Sequence, residues 1–229
     1  MNEIDELTTL LTRAPPHARG RAARADGDQT RAELIVRAGR LFAERGYAAT
    51  TAKAICEQAG TSAAAINYHF GGRDGLYLAV LREVLQRLVS MAFLRELPQS
   101  GLDPEAQLRR FFAELVRHLL TEQSWVMRVW ARELITPSPL HDQILSEQTQ
   151  PRFEALATII ASITGRSQDD PALIRLVLST IGPCLMLLIA DRDRPTPIRP
   201  LFSESPEVLA YGLARFAIAG LKADAERPG

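Results

Sequence analysis

Apolar positions recur every three or four residues along most of the chain, which is the spacing of a helix with one buried face. In the first third, one such segment starts near residue 30, and two short ones follow at about 51–60 and 62–68. A longer apolar stripe begins after Gly71-Gly72 and is expected to run as one linking helix over 76–93. No stretch alternates convincingly between apolar and polar residues with the period of two that marks a strand. The pattern predicts an all-α protein.

Capping residues predict the ends of the first helices. Thr30 and Glu33 match a capping box, in which the two residues satisfy free backbone N–H groups of the first turn. Gly46 is expected to end this helix in the left-handed conformation that glycine tolerates. Thr50 or Thr51 is expected to begin the second helix, since a hydroxyl there accepts a hydrogen bond from the first turn. A helix followed by two short helices with a glycine turn between them is the order of a helix-turn-helix.

Everything after Gly101 also has helical spacing, and a linker at Pro98–Gly101 separates it from the first part. Three of its segments begin with an N-cap residue directly before a proline, an arrangement typical of a helix start. The five predicted segments are 104–121, 124–135, 139–164, 171–190 and 205–221. With the four helices before them, they predict nine helices. Pro151 and the pair Gly182-Pro183 are expected to kink the helices that contain them.

The composition narrows the class of protein. Of 229 residues, 46% are apolar, and 27 basic residues balance 27 acidic ones. Between Leu10 and Val80, ten basic and six acidic residues leave an excess of four positive charges, which favours a polyanionic partner. Cys56 and Cys184 are too few and too far apart for a disulfide framework or a zinc site. Neither a signal peptide nor a stretch of about 20 apolar residues is evident, so we expect a cytoplasmic protein without a membrane span.

Residues 1–29 lack sustained periodicity and contain several prolines and glycines, so we expect a flexible basic arm before the first helix. The arginines of this arm are Arg13, Arg19, Arg21 and Arg24. Basic arms beside other helix-turn-helix modules reach the DNA backbone or the minor groove. A solvated tail that touches no DNA is the alternative, because Asp26 and Asp28 dilute the positive charge.

Several motifs in 30–75 resemble the DNA-binding domain of TetR-type transcriptional regulators. They are Thr50-Thr51, Ile55, Ala59-Gly60, Ser62, Ile66 and Tyr68-His69-Phe70-Gly71, at the spacing of that family. The resemblance implies a helix-turn-helix domain over 30–75 that binds double-stranded DNA. It implies DNA contacts from Thr50, Thr51, Ser62, Ala63, Ala64, Asn67, Tyr68, His69 and Arg73. This sequence departs from the family at Ala63, where lysine is frequent, and at Asn67, where tyrosine is frequent.

The chemistry of the third helix agrees with this role. Three consecutive alanines from Ala63 give a slim surface that can approach base edges, and an alanine methyl group can pack against a thymine methyl. Ser62 and Asn67 are short hydrogen-bonding groups that suit bases or phosphates. Tyr68 and His69 follow where the family places contacts to the DNA backbone, which fix the register. A plain helical hairpin, whose alanines reflect helix propensity alone, is the alternative.

The C-terminal half resembles the ligand-binding domain of the CecR-like subgroup of TetR-type regulators. The similar stretches are Arg132-Glu133-Leu134, Pro137-Ser138-Pro139 and Pro151-Arg152-Phe153. The resemblance implies a ligand-binding and dimerisation domain over 76–229, in which the helices near 171–190 and 205–221 pair with those of a second copy. Aromatic and polar side chains mix in this half, as in a small-molecule pocket, although an ordinary aromatic core is the alternative. The candidate ligand contacts are Phe111, His118, Trp125, Arg128, Trp130 and Phe153.

These observations predict a transcriptional regulator with no enzymatic activity, no cofactor and no metal. The hypothesis is a homodimeric repressor that a small molecule releases from a palindromic operator. One alternative is a regulator that needs no ligand and acts through a protein partner. Another is a helical enzyme or small-molecule carrier, for which no convergent set of catalytic residues is visible.

Overall fold

The computed structural model describes residues 16–121, 125–190, 192 and 195–226, with side chains from residue 27 onward. Within these residues it contains ten helices and no strand, so the predicted all-α fold is confirmed. The helices are α1 (Pro16–Ala49), α2 (Ala52–Ala59), α3 (Ala63–Phe70), α4 (Arg73–Leu88), α5 (Met91–Glu96), α6 (Pro104–Thr121), α7 (Trp125–Ile135), α8 (His141–Ile144, Leu145–Thr149 and Gln150–Thr164), α9 (Ala172–Ile189) and α10 (Pro206–Ala225). Short 3₁₀ turns occur at Leu97–Gln99 and Arg199–Ser203.

The first helix begins earlier than the sequence pattern predicts. It runs from Pro16 through Thr30 without a break, so the predicted start at the capping box and the absence of helix over 16–29 are both wrong. Alanine and arginine dominate 18–25, and their helix propensity outweighs the cost of Gly20 there. Residues 1–15, including Arg13, and the side chains of Arg19, Arg21 and Arg24 lie outside the described part of the structure. The division of the chain into an arm and two domains stays a prediction.

Gly46 breaks the regular geometry of α1. Its φ of 76° lies in the region that favours glycine, so regular helical geometry stops at the predicted residue, although the element resumes and ends at Ala49 instead. The three residues after Gly46 are again helical. The chain therefore changes direction just before α2, and this bend brings Tyr47 toward the start of α4.

The predicted continuous linking helix over 76–93 is also wrong. Val89 is extended, with φ −150° and ψ 109°, and ends α4. Ser90 then caps a new short helix, α5, because its hydroxyl accepts a hydrogen bond from the Phe93 N–H at 3.1 Å. This extra helix raises the predicted count of nine to ten within the described residues. Serine is a common N-cap, so Ser90 was the available signal.

The predicted C-terminal segments are confirmed to within a few residues. Asp103 and Ser205 cap α6 and α10, because their side chains accept bonds from Ala106 and Val208 N–H. A π-helical turn at Leu145–Thr149 lies inside α8, directly before Pro151. Because proline has no N–H to donate and its ring crowds the preceding turn, the helix widens there. In contrast, α9 continues through Gly182-Pro183 to Ile189.

Two packed groups of helices share one continuous core. The first group is α1 to α4, where Phe42, Ile55 and Ile66 are buried. The second consists mainly of α6, α8, α9 and α10, and α6 packs along α10. Helix α7 contacts both groups, since it packs against α1, α4 and α9. By length and composition alone α9 could cross a membrane, but 39% of it is buried against this core.

Gly39 allows the close approach of α1 to α7. A methyl group built on Gly39 would overlap the ring of Trp125, and Trp125 is itself buried. An aromatic ring in a packed core has little room to move. The contact between the two helices therefore depends on a residue without a side chain.

We predict that Gly39→Ala lowers the free energy of unfolding by about 1–3 kcal/mol, because the added methyl group overpacks the α1–α7 contact. Gly27→Ala is the matched control in the same helix, since a methyl group there meets nothing within 4 Å. That control should be neutral or up to about 1 kcal/mol more stable, because alanine favours helix. Urea denaturation followed by circular dichroism measures both changes, and equal stabilities would contradict the close approach.

Candidate DNA interface and effector pocket

Two capped helices frame the helix-turn-helix. Thr51 caps α2, since its hydroxyl accepts a hydrogen bond from the Ala54 N–H at 3.1 Å. Ser62 caps α3 in the same way through the Ala65 N–H at 3.2 Å. Gly60 and Gly71 end the two helices in the left-handed conformation. The limits of α3 are therefore encoded locally, by residues at both of its ends.

One face of α3 is anchored and the opposite face is free. Ile66 is buried and packs against the core, and Gly75 of α4 lies so close to the Phe70 carbonyl that a side chain there would overlap it. Five predicted contact residues lie exposed along α3 or at its cap: Ser62, Ala63, Ala64, Asn67 and Tyr68. The Tyr68 side chain is 85% exposed, and the half-buried His69 ring packs edge-on to it at 4.9 Å between centroids. The structure thus groups six of the nine predicted DNA contacts on one surface.

Thr50 does not belong to that surface. It is fully buried, and its hydroxyl donates to the Gly46 carbonyl at 2.7 Å. The exposed N-cap of α2 is Thr51, which resolves the choice between the two threonines. The prediction that Thr50 contacts DNA is therefore wrong, because its side chain serves the bend between α1 and α2.

Arg73 ties three segments together at the base of the helix-turn-helix. Its Nη1 donates to the Thr50 carbonyl at 3.0 Å, and its guanidinium lies 4.0 Å from the centre of the Tyr47 ring. The Tyr47 hydroxyl donates to Asp74 at 2.8 Å, and Arg73 Nε also bonds Asp74. Burial and then the bond to Asp74 raise the pKa of Tyr47, so the phenol stays protonated and remains a donor. A phosphate contact from Arg73 stays a prediction, and it would have to coexist with these bonds.

Lys53 is a candidate contact that the sequence reasoning missed. It lies in the first turn of α2 beside Thr51, and its side chain is 86% exposed. Its ion pair with Glu57 is long, at 3.9 Å, and both partners are solvated, so the pair holds the ammonium group weakly. The available signal was a basic residue two positions after an N-cap.

Arg132 joins α7 to the end of α1. Its Nε donates to the Ala43 carbonyl at 3.0 Å, and its Nη2 donates to the Glu44 carbonyl at 3.1 Å. These carbonyls lie in the last regular turn before Gly46, where a helix leaves its acceptors unpaired. A cation at this end also matches the negative end of the helix dipole. Arg132 therefore caps α1 from another part of the fold.

The neighbouring Glu133 is a buried carboxylate, only 1% exposed. It accepts hydrogen bonds from the Tyr77 hydroxyl at 2.7 Å and from the N–H and hydroxyl of Ser138 at 3.1 and 3.0 Å. His141 Nδ1 lies 3.1 Å from the same carboxylate. Burial, reinforced by the bond to Glu133, raises the pKa of Tyr77, so Tyr77 is protonated and donates.

Tyr77 continues the connection into the DNA-binding part. Its ring packs on Phe42 at 4.5 Å and on Tyr47 at 4.9 Å between centroids. Tyr47 in turn holds Asp74 at the start of α4. A continuous set of contacts therefore runs from Glu133 on α7 to the base of the helix-turn-helix.

A cavity of about 250 Å³ lies between α4, α6, α7, α8 and α9. Apolar side chains form almost all of its wall. Phe111, Trp130 and Phe153, three of the six predicted ligand contacts, line it. Cys184 also lines it, and burial raises the pKa of this thiol to about 12, so the thiol is neutral.

The other three predicted ligand contacts do not line this cavity. The His118 Nε2 lies 3.0 Å from Glu114, and the two form a polar cluster on α6. Trp125 packs on Gly39 of α1, and Arg128 is exposed to solvent. Helical spacing places each residue on a helix but does not tell which neighbouring helix its side chain meets.

Two polar residues of the cavity wall, Thr149 and Arg152, were not predicted as ligand contacts. Arg152 stands in the Pro151-Arg152-Phe153 stretch that resembles the CecR-like subgroup, but nothing in the sequence singles it out as facing a cavity. No group of three or more His, Cys, Asp or Glu side chains that could hold a metal ion occurs within the described residues.

We predict that Glu133→Ala destabilises the fold by about 3 kcal/mol or more, because the substitution leaves buried donors of Tyr77 and Ser138 unpaired. Glu96→Ala, which removes an exposed carboxylate on α5, is the control and should change stability by less than about 0.5 kcal/mol. Thermal and urea unfolding measure both. A Glu133→Ala variant as stable as its control would show that the buried carboxylate does not hold the helices together.

Two family models match this chain, one for each part of the fold. The model for bacterial regulatory proteins of the tetR family matches residues 34–80. The model for the C-terminal domain of the HTH-type transcriptional dual regulator CecR matches residues 104–207. The two matches cover the helix-turn-helix and the part that contains the cavity.

Individual proteins agree with these matches. The HTH-type transcriptional dual regulator CecR of Shigella flexneri is 28% identical over 169 residues, which cover 69% of this chain and 75% of that protein. The HTH-type transcriptional repressor AcnR of Corynebacterium glutamicum is 39% identical over 70 residues, 29% of this chain and 37% of that protein. A solved tetR-family protein from Rhodococcus RHA1 superposes with a TM-score of 0.62 at 18% identity, over 84% of this chain and 96% of that chain. At that identity the superposition shows the fold alone. The chain belongs to the tetR family of bacterial transcriptional regulators, which bind DNA and are not enzymes.

Proposed function

We propose that the protein is a cytoplasmic, homodimeric repressor that a small molecule releases from a palindromic operator. The observation that carries the proposal is the position of α7. Trp130 and Leu134 of this helix line the cavity, whereas Arg132 and Glu133 hold α1 and Tyr77 of the DNA-binding part. One short helix therefore contacts both the cavity and the helix-turn-helix.

The exposed face of α3 supports insertion into the major groove. Ala63 and Ala64 present no long side chain, so the helix backbone can approach base edges closely. Ser62 and Asn67 supply hydrogen-bonding groups beside them, and Tyr68 extends toward the position of a DNA strand. In a dimer, two copies of α3 would read half-sites about 34–36 Å apart. Sequence recognition then depends on close fit more than on long side chains.

The exposed apolar side chains of α9 and α10 support the dimer. Ile174 and Leu178 on α9, and Tyr211 and Phe216 on α10, are all more than half exposed. Large apolar side chains exposed together on two helices are costly in water and mark an interaction surface. A second copy covers it by a two-fold arrangement of the same two helices. The dimer contact then explains why α9 is so apolar, and no membrane span is needed to explain it.

A ligand acts in this proposal by choosing between two positions of α7. Leu85 and Leu88 of α4 line the same cavity as Trp130, so a ligand there touches both helices that carry the DNA-binding part. A ligand that binds more tightly to the state with the wrong half-site spacing weakens DNA binding by that difference in affinity. Whether the protein represses or activates transcription follows from where the operator lies. The AcnR relative is a repressor.

Selection of bound sequences from random DNA with the purified full chain tests the proposal. It is expected to return a palindrome with half-sites one helical turn apart. Recovery of a single half-site would contradict the homodimer on DNA. An operator that lies away from any promoter would contradict repression. An operator complex that no compound library dissociates would favour the ligand-independent alternative.

We predict that Ala64→Leu weakens operator binding by about tenfold or more, because the larger side chain holds α3 away from the bases and a lost base contact costs about 1–3 kcal/mol. Ala113→Leu, at an exposed alanine of α6, is the matched control and should bind as the wild type does. Fluorescence anisotropy with the selected operator measures both affinities. Retained binding by Ala64→Leu would remove the close-approach argument.

We predict that Ile174→Arg converts the dimer to a monomer and abolishes operator binding, because a charge at a buried two-fold contact meets its own copy. Ile135→Arg is the matched control, since Ile135 is 66% exposed on α7 and Ile174 is 64% exposed on α9. Analytical ultracentrifugation of both variants gives the oligomeric state. A dimeric Ile174→Arg variant would place the interface elsewhere.

A further inference from the structure

The cavity wall contains a cation that has no anionic partner. Arg152 is the single charged residue among the described residues that line the cavity. It takes part in no ion pair within the described part of the chain, although the fold pairs other arginines such as Arg166 with carboxylates. Burial lowers the pKa of Arg152, but a guanidinium stays charged at neutral pH. The cavity is therefore electropositive at one point of an apolar wall.

The hydrogen bonds of Arg152 leave one of its nitrogens unused. Its Nε donates to the Val89 carbonyl at 3.0 Å, and its Nη1 donates to the carbonyl and side chain of Gln148 at 2.7 and 3.1 Å. Its Nη2 is buried and has no acceptor among the described residues. The hydroxyl of Thr149, three residues before it, is likewise buried without a partner.

A buried donor on a charged group that finds no acceptor costs free energy, and native folds rarely tolerate it without a role. Both unpaired groups belong to residues of the cavity wall and lie on neighbouring turns of α8. Thr149 ends the π-helical turn, and such turns often occur at functional sites. Both residues therefore bring an unpaired polar group to the wall of the cavity.

We propose that the effector is a small amphipathic carboxylic acid, whose carboxylate binds Arg152 Nη2 and the Thr149 hydroxyl and whose apolar body fills the cavity. This inference rests on the proposed function, in which the cavity holds the effector. A carboxylate supplies both the charge and the acceptor that a buried guanidinium lacks. The apolar wall, formed by side chains such as Leu85, Phe111 and Trp130, accepts a hydrocarbon body.

The same geometry disfavours other classes of compound. A cation is repelled by Arg152, and a neutral hydrocarbon leaves the guanidinium unpaired. A sugar or nucleotide would bury many polar groups against a wall that cannot bond them. The volume of about 250 Å³ lies just below the range of about 300–1,000 Å³ of drug-sized pockets, so the acid is small.

Arg152 also connects the carboxylate to α4. The Val89 carbonyl that it binds belongs to the C-cap of α4, and Arg73 and Asp74 lie at the other end of this helix. A carboxylate on Nη2 binds the same guanidinium whose Nε holds the end of α4. A carboxylate bound at Arg152 therefore acts on α4, the helix that links the cavity to the DNA-binding part.

Calorimetric titration of the purified full chain with sodium octanoate and decanoate, each against the alcohol of equal length, tests the proposal. The acids should bind at least about tenfold more tightly than the alcohols, because only the acids pair the guanidinium. Arg152→Gln should abolish that preference, and Arg152→Lys should keep part of it. Arg95→Gln, which removes an exposed charge on α5, should bind both compounds as the wild type does.

Thr149→Val gives a second measurement if Arg152→Gln does not fold. It should weaken acid binding several-fold without changing alcohol binding. Equal affinities for acid and alcohol, or no binding of either acid, would overturn the inference and leave DNA binding by the regulator intact. An acid that binds through Arg152 but does not release the selected operator would support the site and overturn release by ligand, so the two failures are distinguishable.

Discussion

The buried carboxylate of Glu133 is the constraint on which the arrangement of the helices depends. A charge that is 1% exposed is tolerated only when donors surround it. Those donors come from three elements, namely Tyr77 on α4, Ser138 in the turn after α7, and His141 at the start of α8. Each element must therefore keep its place relative to α7, and the orientation of the helix-turn-helix on the rest of the protein follows from that requirement.

The sequence neighbours of Glu133 extend this constraint in two directions. Arg132 bonds the last carbonyls of α1, so the same turn of α7 holds both long helices of the DNA-binding part. Trp130 and Leu134 point to the cavity instead. A helix that is rigidly bonded on one face and borders a cavity on the other moves as a unit. In the proposed release by a ligand, coupling between the cavity and DNA requires displacement of one short helix and no change of fold.

Local signals in the sequence predicted what is decided locally. The limits of α3 follow from Ser62 and Gly71, and α6 and α10 follow from their caps, because these bonds close within one turn. The errors at the candidate site arose where distant contacts decide. Thr50 has the residue type of an exposed cap but is buried by the bend at Gly46, and no pattern within a single helix indicates that. Aromatic residues at helical spacing likewise do not reveal whether they face a cavity or another helix.

Arg132 and Arg152, two of the arginines that bind main-chain carbonyls in the C-terminal part, differ in whether the protein alone satisfies them. Arg132 donates through two nitrogens to the end of α1, and its remaining surface is exposed to solvent, so its role is complete without a ligand. Arg152 binds the end of α4 in a similar manner, yet it keeps a buried nitrogen that no atom in the described part of the chain satisfies. Hydrocarbon side chains would fill the same space without that cost. The retention of a cation in an apolar wall is therefore better explained by recognition of an acid than by packing.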